Sequence, residues 1–373
     1  MPVGKRFLFT IITLLVIAVA ASLAIFFAKG YRVSPTERRI LGTGIMTVSS
    51  EPDAASVFID GHLTTATNAT VSSLSPKKYS VRLVKEGFIP WEKEIEILEG
   101  VVTEVKATLF PAIPTIYPLT FTGVDNPVLS PDGSKLAYIV PTGKKGGVWV
   151  WTLSRNQPIA FARSAEPHQI AQTGQIDFSQ AILRWSADSK QVLATVSGNN
   201  FLLEDNGINQ EPRDITPILD ATLQGWAEDV ESKEATRILA LQDGNLRKIA
   251  SDSAFLRWSP DETKFMAKNE EVEKDEKGLI SGISVYDLEL NQSHQLPPAL
   301  AHLWLPDSKH IILVEEGTIS LIEFDGTNKA VIFAGSFLNN FVFPWPDSSR
   351  LVIISSLPTP TASEPNLYGI NLR

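Results

Sequence analysis

Trp258-Ser259-Pro260-Asp261-Glu262, followed at once by Thr263-Lys264-Phe265-Met266-Ala267, is the stretch that decides the fold. Proline fixes φ, the aspartate beside it accepts from its own backbone, and the residue after it suits a positive φ. The phrase therefore writes a tight turn between two strands. It recurs as Leu129-Ser130-Pro131-Asp132-Gly133, Trp185-Ser186-Ala187-Asp188-Ser189, Trp304-Leu305-Pro306-Asp307-Ser308 and Pro344-Trp345-Pro346-Asp347-Ser348. A basic residue follows each copy (Lys135, Lys190, Lys264, Lys309, Arg350), and then an apolar strand such as 135–140 or 311–314. Second strands follow at 148–153, 283–288 and 319–324.

The aspartates are spaced 56, 73, 46 and 40 residues apart. The long gap leaves room for a degenerate sixth copy at Gly225-Trp226-Ala227-Glu228-Asp229, with strands expected at 237–241 and 245–249. A unit of about 40–50 residues holding about four strands is the pattern of a β-propeller. The aspartates are expected to form turns rather than bind or catalyse, and the tryptophans to pack between neighbouring blades. The repeat resembles the WD40-like, TolB-type β-propeller family over residues 115–373. That resemblance implies six blades, matching the count of phrases. The chain ends on a third strand, Asn366-Leu367-Tyr368-Gly369-Ile370-Asn371. The missing outer strand of the last blade is expected from residues 115–120, a clasp that removes open sheet edges.

Ahead of the repeat, residues 44–110 alternate in a different manner. Ile45 to Ser49, Tyr79 to Leu83, Ile95 to Ile97 and Val101 to Leu109 read as strands with one face in a core. Asp60-Gly61 is a hairpin turn signal. The stretch Ser50-Glu51-Pro52-Asp53-Ala54-Ala55-Ser56-Val57-Phe58-Ile59-Asp60-Gly61 resembles the opening of a PEGA domain. Leu74-Ser75-Pro76, Lys85-Glu86-Gly87-Phe88 and Trp91 continue the likeness, while Ala54 and Lys77 stand where the family carries glycine. The resemblance implies a small non-catalytic β-sandwich of the kind found on bacterial and archaeal envelope proteins. Trp91 is expected to plug one end of it, with sugar stacking as the alternative.

Residues 7–28, FLFTIITLLVIAVAASLAIFFA, form an uncharged run. As a helix rising 1.5 Å per residue the run reaches about 33 Å, enough for a hydrocarbon core of about 30 Å. It continues beyond a small-residue cleavage motif at 18–20, and so reads as an uncleaved transmembrane anchor behind a tail at 1–6. A basic juxtamembrane linker follows at 29–43. Lys29, Arg32, Arg38 and Arg39 outnumber Lys5 and Arg6, which by charge alone favours a cytoplasmic C-terminus. The PEGA resemblance implies the opposite, and the expectation here is a single-pass protein with its C-terminal domains extracytoplasmic.

The expected class is therefore all-β, a PEGA-like sandwich at 44–110 and a six-bladed propeller at 111–373, with one N-terminal transmembrane helix. A net charge of −9 argues against nucleic acid as a partner. The absence of cysteine removes disulfides, thiolate metal sites and cysteine nucleophiles. His62, His168, His294, His302 and His310 show no metal spacing, and no nucleophile elbow or phosphate loop is present. The charged stretch 270–277 reads as a solvated hairpin tip, and 358–365 as a loop. No catalytic, metal or cofactor residue is expected. Besides the membrane at 7–28, the expected partners are an envelope protein or a cell-surface glycan. The alternative reading is a hydrolase with an acidic, metal-dependent site at the central channel.

Overall fold

A computed structural model describes residues 3–28, 32–34, 39–141, 143, 145–153, 166–268, 278–357 and 364–373; up to residue 41, side chains are described for 9–22 alone. The hairpin tip expected at 270–277 and most of the loop at 358–365 lie outside the described residues, as do parts of the tail and linker. Strand accounts for 45% and helix for 17%, so the chain is mostly β. It divides into two compact units, Met1–Ala112 and Ile113–Arg373.

The first unit begins with helix α1 (Val3–Ala28). Thr13 Oγ1 donates to the Phe9 carbonyl and Ser22 Oγ to that of Ala18, so these hydroxyls are satisfied inside the helix. Among the described residues no helix is long and apolar enough to cross a membrane; the described structure therefore does not support the span expected at 7–28. Two sheets follow. One runs Ala69–Leu74, Gly44–Glu51, Val102–Thr108, with the last pair parallel. The other runs His62–Ala66, Ser56–Ile59, Lys78–Val84, Trp91–Glu96. Met46, Val48, Val57, Val81, Leu83 and Val105 from both sheets share one core, which makes the expected sandwich. Asp60 and Gly61 turn the hairpin at φ 49° and 80°. Trp91 is only 4% exposed, inside the shared core. Its ring offers no free face to a sugar.

Among its described residues the second unit holds five four-stranded antiparallel sheets. The first four are sequential: Asp125–Leu129, Lys135–Val140, Gly147–Thr152 and His168–Gln172; then Ile182–Trp185, Gln191–Val196, Asn199–Glu204 and Arg213–Asp214. The third is Phe255–Trp258, Lys264–Lys268, Ser284–Asp287 and Gln292–Gln295. The fourth is Ala301–Trp304, His310–Glu315, Thr318–Glu323 and Ala330–Ala334. The fifth combines Val342–Pro344, Arg350–Ser355 and Asn366–Asn371 with Ile116–Pro118 as its outer strand. Ile116 pairs with Ile370, Tyr117 with Gly369 and Pro118 with Tyr368, so the first and last segments of the unit are joined in one sheet.

One expectation needs correction. The sixth copy sought at 225–249 is helical: α2 (Leu219–Ala240) and α3 (Gly244–Ser251) occupy it. The strands expected at 237–241 and 245–249 do not form. The composition explains this. Ala, Glu, Leu, Lys and Gln dominate 219–240, and their summed helix preference outweighs a weak Trp-to-Asp match. Asp220 in the first turn and Arg237 in the last suit the helix dipole. Asp243 caps α3 by accepting from the Asn245 and Leu246 amides. The all-β expectation fails at this pair.

Neighbouring elements are joined by shared apolar clusters. Ala137, Ile139, Val148 and Val150 of the first sheet pack with Leu183 and Trp185 of the second. Leu193, Leu202 and Ile215 take Leu219, Leu223 and Trp226 at the start of α2. Ile238, Leu246 and Ile249 of the helical pair pack with Leu256, Phe265 and Trp258 of the third sheet. Met266 and Val285 meet Trp304 and Leu313 of the fourth. Phe343, Trp345 and Val352 of the fifth share a cluster with Leu136, Tyr138 and Trp151 of the first.

Candidate binding sites

The aspartates of the phrase are turn acceptors. Ser130, Ser186 and Ser259 donate from Oγ to Asp132, Asp188 and Asp261 at 2.6–2.7 Å. The amides of Ser134, Thr263, Lys309 and Ser349 donate to Asp132, Asp261, Asp307 and Asp347. Burial would raise the carboxyls of Asp132, Asp261 and Asp307, but hydrogen bonds from Ser130, Ser259 and His310 and from nearby amides hold all three below the ordinary carboxylate value. The next residue is left-handed at each copy, with φ between 58° and 68° at Gly133, Ser189, Glu262, Ser308 and Ser348.

Turns and indoles also tie sheets to each other. The Asp132 amide donates to Ser189 Oγ, and the Asp261 amide to Ser308 Oγ. Trp185 Nε1 donates to the Val128 carbonyl at 2.8 Å, and Trp304 Nε1 to that of Arg257 at 3.0 Å. In both cases the acceptor directly precedes the phrase of the preceding sheet. Trp258 is the exception: its indole nitrogen is buried without a hydrogen-bond partner. The element before it is the helical pair, which presents no strand carbonyl at that place.

Among the described residues of this unit, two cavities bear on binding. One, of about 580 Å³, is lined by phrase residues and first strands of the first, third, fourth and fifth sheets, among them Pro131, Trp258, Pro260, Trp304, Pro306 and Phe343. Its charged lining includes Asp132, already held in its turn, and Glu262, which pairs with Arg237 at 2.8 Å. The other, of about 840 Å³, lies between α2 and the second sheet. The α2 side contributes residues at helical spacing, including Ala227, Val230, Glu231, Glu234 and Ile238; the sheet side contributes Arg184, Trp185 and Ala187. No sequence pattern points to this groove, because it exists only where α2 packs near the second sheet.

The histidines do not converge. His168 Nε2 lies 2.7 Å from the Asp205 carbonyl, His302 Nε2 donates to the Pro297 carbonyl, and His310 Nδ1 meets Asp307 at 2.6 Å. Among the described residues no group of three or more His, Asp or Glu side chains is placed to hold a metal ion.

Comparison with known proteins adds the following. The PEGA domain profile matches residues 43–113. No curated protein matches the chain. Among solved structures, TolB from Acinetobacter baumannii is 14% identical, with 79% of this chain and 59% of that one covered and a TM-score of 0.23. The putative TolB from Agrobacterium tumefaciens is 16% identical, with 64% and 76% covered and a TM-score of 0.22. The AfRom2 CNH domain is 10% identical, with 69% and 100% covered and a TM-score of 0.29. At these scores the likeness carries no weight for fold or function.

Proposed function

We propose that this chain is a membrane-anchored envelope protein that acts by binding rather than by catalysis. Residues 7–28 are the anchor, the sandwich stands behind it, and the second unit is a propeller-type scaffold for a protein or a glycan on the extracytoplasmic side. The observation that carries this reading is the PEGA match at 43–113 close behind an uncharged run of membrane-spanning length. The five sheets and the helical pair are read as six positions around a ring, closed by the Ile116–Pro118 strand on Asn366–Asn371. Binding residues suit such a frame, because a rigid scaffold holds turns and loops at fixed positions.

A reporter fused after Arg373 tests the reading. Protease added to intact cells or spheroplasts should reach it, and crosslinking in those cells should capture an envelope component. Recovery of the full-length chain in the soluble cytoplasmic fraction would overturn the proposal.

A further inference from the structure

Helix α2 is pinned at its two ends and stands free between them. Leu219, Leu223 and Trp226 hold the start against the second sheet. Ile238 and the Arg237–Glu262 ion pair hold the end against the third. None of its 22 residues is buried. The stretch in between lines the 840 Å³ groove, where Val230 is 49% exposed. Glu231 and Glu234 sit on this wall three residues apart, hence on one helix face. Their carboxylates have no ion-pair or hydrogen-bond partner among the described residues.

We propose that this groove docks a peptide segment of a partner protein. One bulky apolar side chain enters against Trp185, Trp226 and Val230, and a neighbouring Lys or Arg pairs with Glu231 and Glu234. The inference rests on the binding role proposed above and names its surface. The volume lies within the range of about 300–1,000 Å³ typical of ligand pockets. Charge and wall chemistry select the occupant. Glu231 and Glu234 outnumber the one cation of the lining, Arg184, and so favour a cationic occupant, while the rest of the lining apart from Ser251 is apolar or indole surface that suits a bulky apolar side chain. A second copy of this chain would bring a net charge of −9 against the same acidic wall.

The test uses the full-length protein in detergent micelles, titrated with the fluorescein-labelled peptide Gly-Lys-Leu-Phe-Lys-Gly and read by anisotropy. Saturable binding is expected, and none to the analogue with glutamate in place of lysine. The Glu231→Lys/Glu234→Lys variant should lose about tenfold or more in affinity, with its melting temperature unchanged because both positions are at the surface. Ala227→Trp, which fills the groove, should abolish binding. Equal affinity in wild type and the charge variant, or no saturable binding, would overturn the groove assignment. So would a concentration-dependent dimer that Ala227→Trp abolishes, which would make a second copy the occupant. The scaffold reading fails independently: its crosslinked envelope component would be missing from wild-type cells. If that crosslink is present and survives Ala227→Trp, the scaffold stands and the groove does not.

Discussion

Ala54 carries a φ of 56°, in the left-handed region where a Cβ costs about 1–2 kcal/mol. It stands where PEGA-like stretches carry glycine, and it is exposed, so its methyl group has little packing to lose. Glycine recovers the strain but loses about 0.5–1 kcal/mol of backbone entropy. Ala54→Gly is therefore expected to stabilise the sandwich by up to about 1 kcal/mol, read as a higher denaturation midpoint; a lower midpoint would show that the left-handed alanine is not strained. The indoles provide a second comparison at this scale. Trp185→Phe and Trp304→Phe each leave a strand carbonyl without its donor, at an expected cost of about 1–3 kcal/mol. Trp258→Phe removes a donor that has no acceptor, so beyond the loss of ring volume common to all three it should cost about 1 kcal/mol less than the other two. Equal losses in all three denaturation curves would mean that the Trp258 N–H does find a partner.

At the scale of elements, the phrase was legible because its chemistry is local: proline, aspartate and a left-handed residue make the turn whatever surrounds it. The helical pair departs from the repeat because composition there outweighs spacing along the chain. A Trp and an Asp at 226 and 229 with neither serine nor proline between them, and with β-branched Val230 where the other copies place a left-handed residue, make no turn, and a 22-residue stretch rich in good helix formers makes a helix. Asp243 tests the assignment. Its carboxylate caps α3, and Asp243→Ala should cost about 1 kcal/mol and loosen the packing of Leu246 and Ile249 on the third sheet. If the midpoint stays put, the capped helix is not a structural part of the unit. The fourth sheet carries a pH-dependent counterpart. Burial lowers the affinity of His302 for a proton, although the donation from Nε2 to Pro297 opposes this, and Nδ1 is buried without a partner. The unfolded chain takes up the proton near the ordinary value of 6.5, the folded chain only at lower pH. Between those points the unfolded state binds more protons, so stability falls as pH drops below about 6.5. The melting-temperature advantage of wild type over His302→Gln should shrink from pH 7 to pH 5. A constant difference would show that the imidazole titrates alike in both states.

For the whole molecule, the decisive feature is the strand that joins the ends of the second unit. It could be read from the sequence, since a last repeat with three strands requires a fourth from elsewhere. The groove could not, since it exists only where tertiary packing places a helix opposite a sheet. The clasp is held by more than its ladder. Arg350 donates to the Tyr117 hydroxyl at 2.8 Å, the Leu119 amide to the Leu367 carbonyl, and Thr120 Oγ1 bonds Asn366. Tyr117 also lies across Gly369: a Cβ there would fall 2.8 Å from its ring. Removing residues 112–120 should therefore lower the melting temperature markedly by opening the edge of the fifth sheet. The finer test is Gly369→Ala, which should cost about 1–3 kcal/mol by overpacking against the clasp. In a Tyr117→Ala background the added methyl has room, so the same substitution should cost little. The coupling in the double-mutant cycle should then be about 1 kcal/mol or more. Additive costs would mean that the ring of Tyr117 does not rest on Gly369 in solution. The pairing of Ile116–Pro118 with the last strand, which unites segments about 250 residues apart, would then rest on its ladder and hydrogen bonds without this side-chain support.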